Sequence, residues 1–550
     1  MTAPRKVLII GGVAGGMSAA TRLRRLEESA EITVIERGPE VSYANCGLPY
    51  YVGGVIPDRA SLLLQTPDSL HRRFRLDVRV RHEASRIDTV RKTVDVIDLD
   101  SGRRTVEKYD TLVLALGASP RRAEPDSSIP VLSLRTVADA DAIHSSLTRP
   151  GIPVVVVGGG YTGLEAAENL VSRGAAVTLV QRGEQLLSPL DIEMSAPILA
   201  AVRSHGVDVR LGAEITGTAD GAVLLSDGGA IPAELIVDAS GVAPETRLAT
   251  AAGIAIGETG GIRVDETGRT SDPDVFAVGD GVEKTELVGG GTALITMAGL
   301  ANRHGRMVAD VIAGRAPSSR PALGTGIVSV FGTVAAKVGW SEKQLTTAGR
   351  DFYTVHVHPG SHAGYFPGAE TMSMKLLADP LTDLILGAQI IGRDGVDKRI
   401  DVIATAMHAG LPASELSQLE LAYAPQFGSA KDAVNMLGYV AENTRNGTTP
   451  TTQWYELDDA LAAGATLVDV RTPAEFAAGA IPGAINMPLD ELREHLDELC
   501  DGPLIVHCQV GLRGHAATRL LTQHGFAVRN LDGGYRTWHD ARSARSGSQT

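Results

Sequence analysis

Val7-Leu8-Ile9-Ile10-Gly11-Gly12-Val13-Ala14-Gly15-Gly16 runs from an apolar, β-branched stretch straight into a glycine turn. Residues 17–26 continue with helical composition, and Ile32-Thr33-Val34-Ile35-Glu36 reads as a second strand, which predicts a strand–turn–helix–strand (βαβ) unit. The same order returns in Val154-Val155-Val156-Val157, Gly158-Gly159-Gly160-Tyr161-Thr162-Gly163, the helical stretch 164–173 and Val177-Thr178-Leu179-Val180. Two such units about 147 residues apart predict an α/β chain with two dinucleotide-binding sites.

The two turns are not equivalent. Gly158, Gly160 and Gly163 complete a G-x-G-x-x-G pattern. The first glycine permits a tight turn, the second lets backbone approach a pyrophosphate at the helix N-terminus, and the third lets helix and strand pack closely. In the first turn Gly11 and Gly16 take the outer positions, Val13 takes the middle one, and Gly15 is expected to supply the missing clearance. Glu36, followed by Arg37, ends the next strand and can accept the two hydroxyl hydrogens of an adenosine ribose. Its counterpart is Gln181-Arg182. With no carboxylate there to repel a 2′-phosphate and a guanidinium to pair with one, NADPH is favoured over NADH. A buried strand from Leu112 reaches Gly117, and Val275-Phe276-Ala277-Val278 runs into Gly279-Asp280, read as a strand ending just before a helix. These features suggest FAD in the first unit and a nicotinamide nucleotide in the second. Asp280 then meets the ribityl or phosphate region of the flavin, and it can cap that helix as well.

Acidic residues outnumber basic ones 65 to 51, a net charge of −14 that gives a nucleic-acid partner no electrostatic support. Three cysteines in 550 residues argue against a disulfide framework and for a reducing compartment. Arg5-Lys6 and the apolar run after it meet a glycine turn rather than a cleavage site, so they read as a first strand and not a secretion leader. No apolar run approaches the roughly 18 residues that span a bilayer. The expectation is a cytoplasmic, soluble protein of three or four domains, with no membrane or nucleic-acid partner and no metal site.

From about Pro321 the glycine turns give way to mixed strands and helices, including 385–391 and 400–409, which suggest a separate α+β domain. Residues 442–452 are polar, punctuated by glycine and proline and without apolar periodicity, and read as a linker. Beyond them Leu467-Val468-Asp469-Val470-Arg471 and Leu504-Ile505-Val506-His507-Cys508 are buried-looking strands in a compact α/β module.

Cys46, in Ser42-Tyr43-Ala44-Asn45-Cys46-Gly47-Leu48-Pro49-Tyr50, has no cysteine near it in sequence; Cys500 and Cys508 lie close to the C-terminus. Flavin reductases that open disulfides with a thiol pair show a short C-x-n-C spacing. The sulfur that Cys46 bonds to must therefore arrive on a substrate or on the C-terminal module. With Gly364-Tyr365-Phe366-Pro367-Gly368, Asp397-Lys398-Arg399-Ile400-Asp401 and Ala422-Tyr423-Ala424-Pro425, this makes residues 1–445 resemble the coenzyme A disulfide reductases, single-cysteine members of the pyridine nucleotide-disulfide oxidoreductases.

The resemblance implies that electrons pass from NAD(P)H through FAD to Cys46, whose thiolate attacks a CoA disulfide and holds one CoA as a mixed disulfide. Asn45 then lies beside flavin and substrate. Tyr365 and Tyr423 reach the substrate from the second subunit of a homodimer, to protonate the departing thiolate or to position the mixed disulfide. CoA is polyanionic and needs cations. Ser18, Arg22 and Arg25 share one face of the first helix, Ser42 adds a hydroxyl, and Lys431 matches a substrate-side lysine of the family. Where the family can carry a basic residue after Thr66-Pro67, this chain has Phe74 between Arg73 and Arg75. Single-cysteine relatives that reduce peroxide or oxygen carry a histidine in the first glycine turn. Ala14 stands in that turn here, which favours thiol chemistry.

Residues 454–538 resemble a rhodanese domain through Asp469-Val470-Arg471-x-x-x-Glu475-Phe476, Ile481-Pro482-Gly483-Ala484-Ile485-Asn486 and Cys508-Gln509-Val510-Gly511-Leu512-Arg513-Gly514, although Ala480 replaces the usual histidine after Gly479. In such a loop backbone N–H groups and Arg513 stabilise a thiolate or persulfide on Cys508; Cys500 reads as an incidental thiol. The implied domains are FAD-binding (1–112 and 241–320), NAD(P)H-binding (113–240), dimerisation (321–443), a linker (444–453) and rhodanese (454–545). The expected activity is FAD-dependent reduction of CoA persulfide, polysulfide or CoA disulfide by NAD(P)H. Cys508 carries sulfane sulfur, with CoA or its pantetheine arm as a bridge between modules. The alternatives are a plain CoA disulfide reductase whose rhodanese module docks or regulates, and a flavoprotein redox sensor with incidental turnover.

Overall fold

The computed structural model describes residues 4–121, 129–500 and 502–546, which form two compact units: one built from residues up to 180 with 213–324, the other from 181–212 with 325 onward.

In chain order the parallel strands of the first unit are β1 (Lys6–Ile10), β2 (Glu31–Ile35), β3 (Asp77–Arg79), β4 (Thr111–Leu114), β5 (Val131–Ser133), β6 (Pro153–Val157), β7 (Ala176–Gln181), β8 (Leu235–Asp238) and β9 (Val275–Ala277). One sheet has the order β9-β4-β1-β2-β3, and a second, five-stranded sheet includes the run β7-β6-β8-β5. Helix α1 (Ala14–Leu26) crosses from β1 to β2, and α2 (Tyr161–Ser172) from β6 to β7. Residues 7–10 of β1 and 154–156 of β6 are buried, which explains the unbroken Val/Ile/Leu composition that leads into each glycine turn. Met17, Ala19, Ala20 and Leu23 of α1 share a core with β1, β2 and helix α3 (Ala298–Ile312). Burying a leucine such as Leu23 contributes about 2 kcal/mol.

Two expectations need correction. The clearance at Gly15 serves helix packing: a Cβ there would lie 2.9 Å from Val278 Cγ2, and one on Gly305 of α3 would strike the carbonyl of Gly15. Asp280 caps no helix, because the chain after it forms an isolated bridge and the strand Lys284–Thr285, and α3 begins only at Ala298. A Gly-Asp pair after a strand serves a turn as well as it serves a helix start.

The second unit holds an antiparallel sheet of β10 (Gly326–Val330), β11 (Thr333–Gly339), β12 (Tyr353–Val357), β13 (Ser373–Ala378) and β14 (Ile385–Gly392), in the order β10-β11-β14-β13-β12. Every residue of β13 and β14 is buried, Lys375 included. Helices α4 (Val396–Ala409) and α5 (Ala433–Arg445) follow, and Ile192–Ser204 belongs to this unit as well. The C-terminal module is a parallel sheet of β15 (Thr451–Thr452), β16 (Thr466–Asp469), β17 (Ile485–Asn486), β18 (Leu504–His507) and β19 (Val528–Leu531), ordered β15-β19-β18-β16-β17. Helices α6 (Leu512–Gln523) and α7 (Gly534–Ser546) accompany it. The stretch read as a linker is mostly structured. Its start completes α5, and Thr451 and Thr452 pair with Asn530 and Leu531. A two-residue edge strand is too short to show periodicity, so only the ladder reveals it. Among the described residues no helix is long and apolar enough to cross a membrane.

Candidate functional site

In the first unit the glycine turns suit anionic ligands. Gly158 and Gly163 are enforced by backbone: a Cβ on Gly158 would lie 2.5 Å from the Ala239 carbonyl oxygen, and one on Gly163 would strike the carbonyl of Gly158. A Cβ on Gly160 would meet nothing within 4 Å, so the middle position opens onto free space where a pyrophosphate can approach. Gly11 and Gly16 repeat the enforced pair, the first against Ala115 and the second against Gly11. Neither α1 nor α2 has a side-chain cap or an acidic residue in its first turn, leaving uncapped N–H groups and the positive helix end for phosphate. These residues fit FAD and a nicotinamide nucleotide.

Glu36 is anchored by the N–H groups of Gly12 and Gly38, each 2.7 Å away and each on a different carboxylate oxygen. The remaining lone pairs are available for ribose hydroxyls. Arg37 is exposed, 4.0 Å from Glu83. Arg182 is exposed just beyond the end of β7, and Gln181 is that strand's last residue. Gly279 and Gly117 are left-handed, and Gly117 lies beside Arg135, which donates to Asp280 at 2.8 Å. Arg135 was not anticipated from sequence, since nothing in Ser133-Leu134-Arg135-Thr136 sets it apart.

Cys46 is a free, exposed thiol on the tight turn Asn45–Gly47, and the N–H of Asn45 donates to the carbonyl of Tyr43. Its pKa is raised, first by packing around the sulfur and then by the Glu165 carboxylate; Asp280 adds to the rise, while Arg135 and a backbone N–H oppose it. Glu165, Arg135 and Asp280 thus all act electrostatically on the Cys46 thiol. Glu165 projects from α2, accepts from the Tyr50 phenol at 3.4 Å, and is itself raised by burial. Burial, followed by Glu165, pushes the Tyr50 phenol up to about 12. Glu165→Gln removes one of the groups that oppose the thiolate. Iodoacetamide alkylation of Cys46, followed by peptide mass spectrometry, is therefore expected to reach half its maximal rate at lower pH than in the wild type. An unmoved or higher midpoint would reject this coupling.

The cationic face proposed for CoA is only partly free. Ser18 donates to Asn302 at 2.6 Å, and Arg22 is held by Asp310 through contacts of 3.0 and 2.7 Å. Arg25 is exposed. Ser42 is left-handed and its N–H donates to the carbonyl of Gly12, which ties the Cys46 segment to the first glycine turn. Phe74 packs on the α1 core, while Arg73 and Arg75 remain exposed.

In the second unit the two tyrosines that sequence singled out meet: Tyr365 and Tyr423 share a hydrogen bond of 2.7 Å between their phenol oxygens. That bond raises the Tyr365 pKa. Both rings are exposed, together with Phe366 and Phe427. Arg399 explains the Asp397-Lys398-Arg399 motif. Fully buried, it donates to the Ser361 carbonyl and to Asp432, each at 2.8 Å, so one guanidinium braces both tyrosine loops. Lys431, next to Asp432, is exposed.

Cys508 immediately follows β18 and lies in the apolar core of the C-terminal module, with no exposed surface. Its loop turns at left-handed Gly511 into α6. Arg513 pairs with both oxygens of Glu475 at 2.8 and 2.6 Å, which lowers the Glu475 carboxyl to about 2. The cation expected from Arg513 is therefore shared, although the Cys508 sulfur also contributes to holding Arg513 protonated. Buried Arg471 pairs with Asp469, reaches Gln509 at 3.1 Å, and lies over the Tyr535 ring. Cys500 is exposed and meets the Thr466 hydroxyl at 3.0 Å.

Comparison with known proteins agrees with this division. Residues 5–293 match the pyridine nucleotide-disulphide oxidoreductase family, residues 327–434 its dimerisation domain, and residues 453–541 the rhodanese-like domain. The coenzyme A disulfide reductase of Staphylococcus haemolyticus is 33% identical over 441 residues, which is 80% of this chain and 100% of that protein. The crystal structure of reduced Bacillus anthracis CoADR-RHD superposes with a TM-score of 0.95 at 42% identity, over 98% of each chain. The NAD-dependent persulfide reductase from A. fulgidus gives 0.90 at 35% identity, over 97% of this chain and 100% of that one. The chain belongs to the pyridine nucleotide-disulphide oxidoreductases, in the branch of the coenzyme A disulfide reductases that carries a C-terminal rhodanese domain.

Proposed function

We propose that the protein reduces sulfane sulfur and CoA disulfides at the expense of NAD(P)H, acting on CoA persulfide, polysulfide and CoA disulfide. The observation that carries this reading is Cys46, a free and exposed thiol in electrostatic contact with Asp280 and Arg135 beside the first glycine turn. The names of the relatives, a coenzyme A disulfide reductase and a persulfide reductase, support the same substrate class.

FAD, when bound, supplies the electron path from NAD(P)H to sulfur. Glu36 would hold the adenosine ribose, the uncapped amides of α1 would receive the pyrophosphate, and Asp280 with Arg135 would orient the remainder; Gly160 and the amides of α2 would receive the nicotinamide nucleotide. The Cys46 thiolate attacks one sulfur of a CoA disulfide, the S–S bond breaks, and one CoA leaves as thiolate. Two electrons then cleave the Cys46–S–S–CoA bond, restoring the Cys46 thiolate and releasing the second CoA. Tyr365 and Tyr423, hydrogen-bonded to each other, donate a proton to the leaving sulfur from the second subunit of a homodimer. The exposed aromatic group of Tyr365, Phe366, Tyr423 and Phe427 supports that assembly. Arg25, Lys431 and Ser42 contribute to the CoA site. Cys508 accepts sulfane sulfur as a persulfide, and three free cysteines fit a reducing, cytoplasmic setting.

The complete burial of Cys508 favours a second reading, in which the rhodanese module docks or regulates without carrying sulfur. NAD(P)H consumption by wild type and Cys508→Ser with each acceptor separates the two. Loss of a nucleophile from the sulfur route is expected to slow turnover with polysulfide by about tenfold or more while CoA disulfide turnover stays within about twofold. Unchanged rates with all three acceptors would establish the second reading.

A further inference from the structure

Strand β12 and the residue just after it bring two histidines, His356 and His358, against the C-terminal module. His356 is buried, and its Nδ1 lies 2.7 Å from one carboxylate oxygen of Asp532. Its backbone N–H donates to the other oxygen at 3.2 Å, and its Nε2 faces Glu193 at 3.3 Å. Burial works against a charge on this ring, but Asp532 and Glu193 outweigh both burial and nearby Lys375 and raise its pKa to about 9. Gln453 adds a 3.1 Å bond to Asp532. Two residues further on, His358 bonds Thr537 through Nε2 at 2.8 Å and Ser373 through Nδ1 at 3.0 Å.

What these histidines hold is the back wall of the Cys508 loop. Asp532 is followed by Gly533 and Gly534, both left-handed. A Cβ on Gly533 would lie 2.9 Å from His356 Cβ, whereas one on Gly534 would lie 2.5 Å from the Cys508 carbonyl oxygen and 2.9 Å from the Gly511 nitrogen. A turn two glycines long, with no side chain to fill it, is thus all that separates the histidine strand from the cysteine loop. Immediately after it the N–H of Tyr535 donates to the carbonyl of Cys508 at 2.8 Å, and that of Arg536 to Gln509 at 3.0 Å.

We propose that His356 is a positioning residue for Cys508: through Asp532 and the Gly533-Gly534 turn, the sheet of the reductase holds the Cys508–Arg513 loop in its sulfur-accepting shape. Sulfur transfer at Cys508 then depends on docking of the rhodanese module, and His358–Thr537 is a second anchor. This inference rests on the reading of Cys508 as a sulfur carrier. Loading is attack of the Cys508 thiolate on a polysulfide, giving Cys508–S–S⁻ and a polysulfide shorter by one sulfur. Discharge by cyanide returns the Cys508 thiolate and thiocyanate.

The test uses the full-length holoenzyme in a Cys46→Ser background. It is loaded with polysulfide, freed of excess reagent and discharged with cyanide, and the Cys508 peptide is followed by mass spectrometry. Displacing a reacting loop by a fraction of an ångström is expected to slow discharge by about tenfold in His356→Leu. His356→Asn keeps a donor where Nδ1 stood and is expected to stay within about twofold of wild type. Both variants lose the Glu193 contact, so a purely structural role would affect them equally. In chains that retain Cys46, NAD(P)H-driven reduction of CoA disulfide is expected to stay within about twofold. Thr537→Val, nearly isosteric, is expected to slow discharge about threefold by removing the second anchor, and it gives the answer if His356→Leu fails to fold. Equal discharge by wild type, His356→Leu and Thr537→Val would overturn the inference. A wild-type Cys508 that never acquires a persulfide would instead overturn the carrier reading beneath it.

Discussion

Cys46→Ser is expected to lower kcat/KM for NAD(P)H oxidation with CoA disulfide, CoA persulfide and polysulfide alike by about 10³-fold or more. A serine hydroxyl neither ionises near neutral pH nor carries a mixed disulfide, so the first bond to substrate sulfur cannot form. The two glycine turns, Glu36 and the Asp280–Arg135 pair remain intact, so flavin content and NAD(P)H oxidation by ferricyanide, an acceptor that needs no protein sulfur, are expected to persist. The pH dependence follows from the same thiol. Packing and then Glu165 hold its pKa above the ordinary value, so the thiolate fraction grows as pH rises. Wild-type kcat/KM with CoA disulfide is therefore expected to climb toward alkaline pH while ferricyanide reduction changes little. Retention of wild-type rates by the serine variant on all three acceptors would end the Cys46 mechanism.

The sequence made the parallel α/β units legible because their information is local. Gly158, Gly160 and Gly163 sit in a single strand–turn–helix passage that is read along the chain, although the backbone that enforces Gly158 comes from Ala239 and Ser240. The pairing of Tyr365 with Tyr423 was foreshadowed by motif alone, and the phenol–phenol bond gives it a physical form. Arg22 shows a limit of helix spacing. Helix spacing places it correctly on the face with Ser18 and Arg25, but it says nothing of Asp310, which folding brings from 288 residues away. The Asp280–Arg135 pair was hidden in the same way, since its two residues lie 145 apart in the chain. Arg135, Glu165 and the His356 network were missed because each matters only through a partner from another segment. The one visible signal was a lysine inside Ser373-Met374-Lys375-Leu376-Leu377-Ala378, a strand that is otherwise apolar but for its first residue.

That lysine carries the largest stability effect expected of any single substitution here. Lys375 has no exposed surface; its Nζ lies 2.9 Å from Asp191 and 3.1 Å from Glu342, and it donates to Glu193. These three carboxylate groups converge as if around a metal ion, and the ammonium occupies their centre. Lys375→Met preserves most of the volume but leaves Asp191 and Glu193 buried against each other, with Gln389, the Glu342 backbone N–H and His356 still placed to donate. Breaking a buried ionic cluster by removing one partner costs about 3–5 kcal/mol, and the loss should appear as a lower denaturant midpoint for the second unit. Adding Glu193→Gln to Lys375→Met removes one of the stranded charges and is expected to recover part of that loss. The pH dependence has a definite sign. Glu193 is held well below its ordinary 4.5, so its contribution is present above that value and disappears as pH falls. His356 is raised from 6.5 to about 9, so its contribution is complete below 6.5 and is lost as pH rises through about 9. The cluster should therefore stabilise the second unit most between about 4.5 and 6.5. A Lys375→Met protein with the wild-type midpoint across that range would show that this network contributes nothing to holding the unit together.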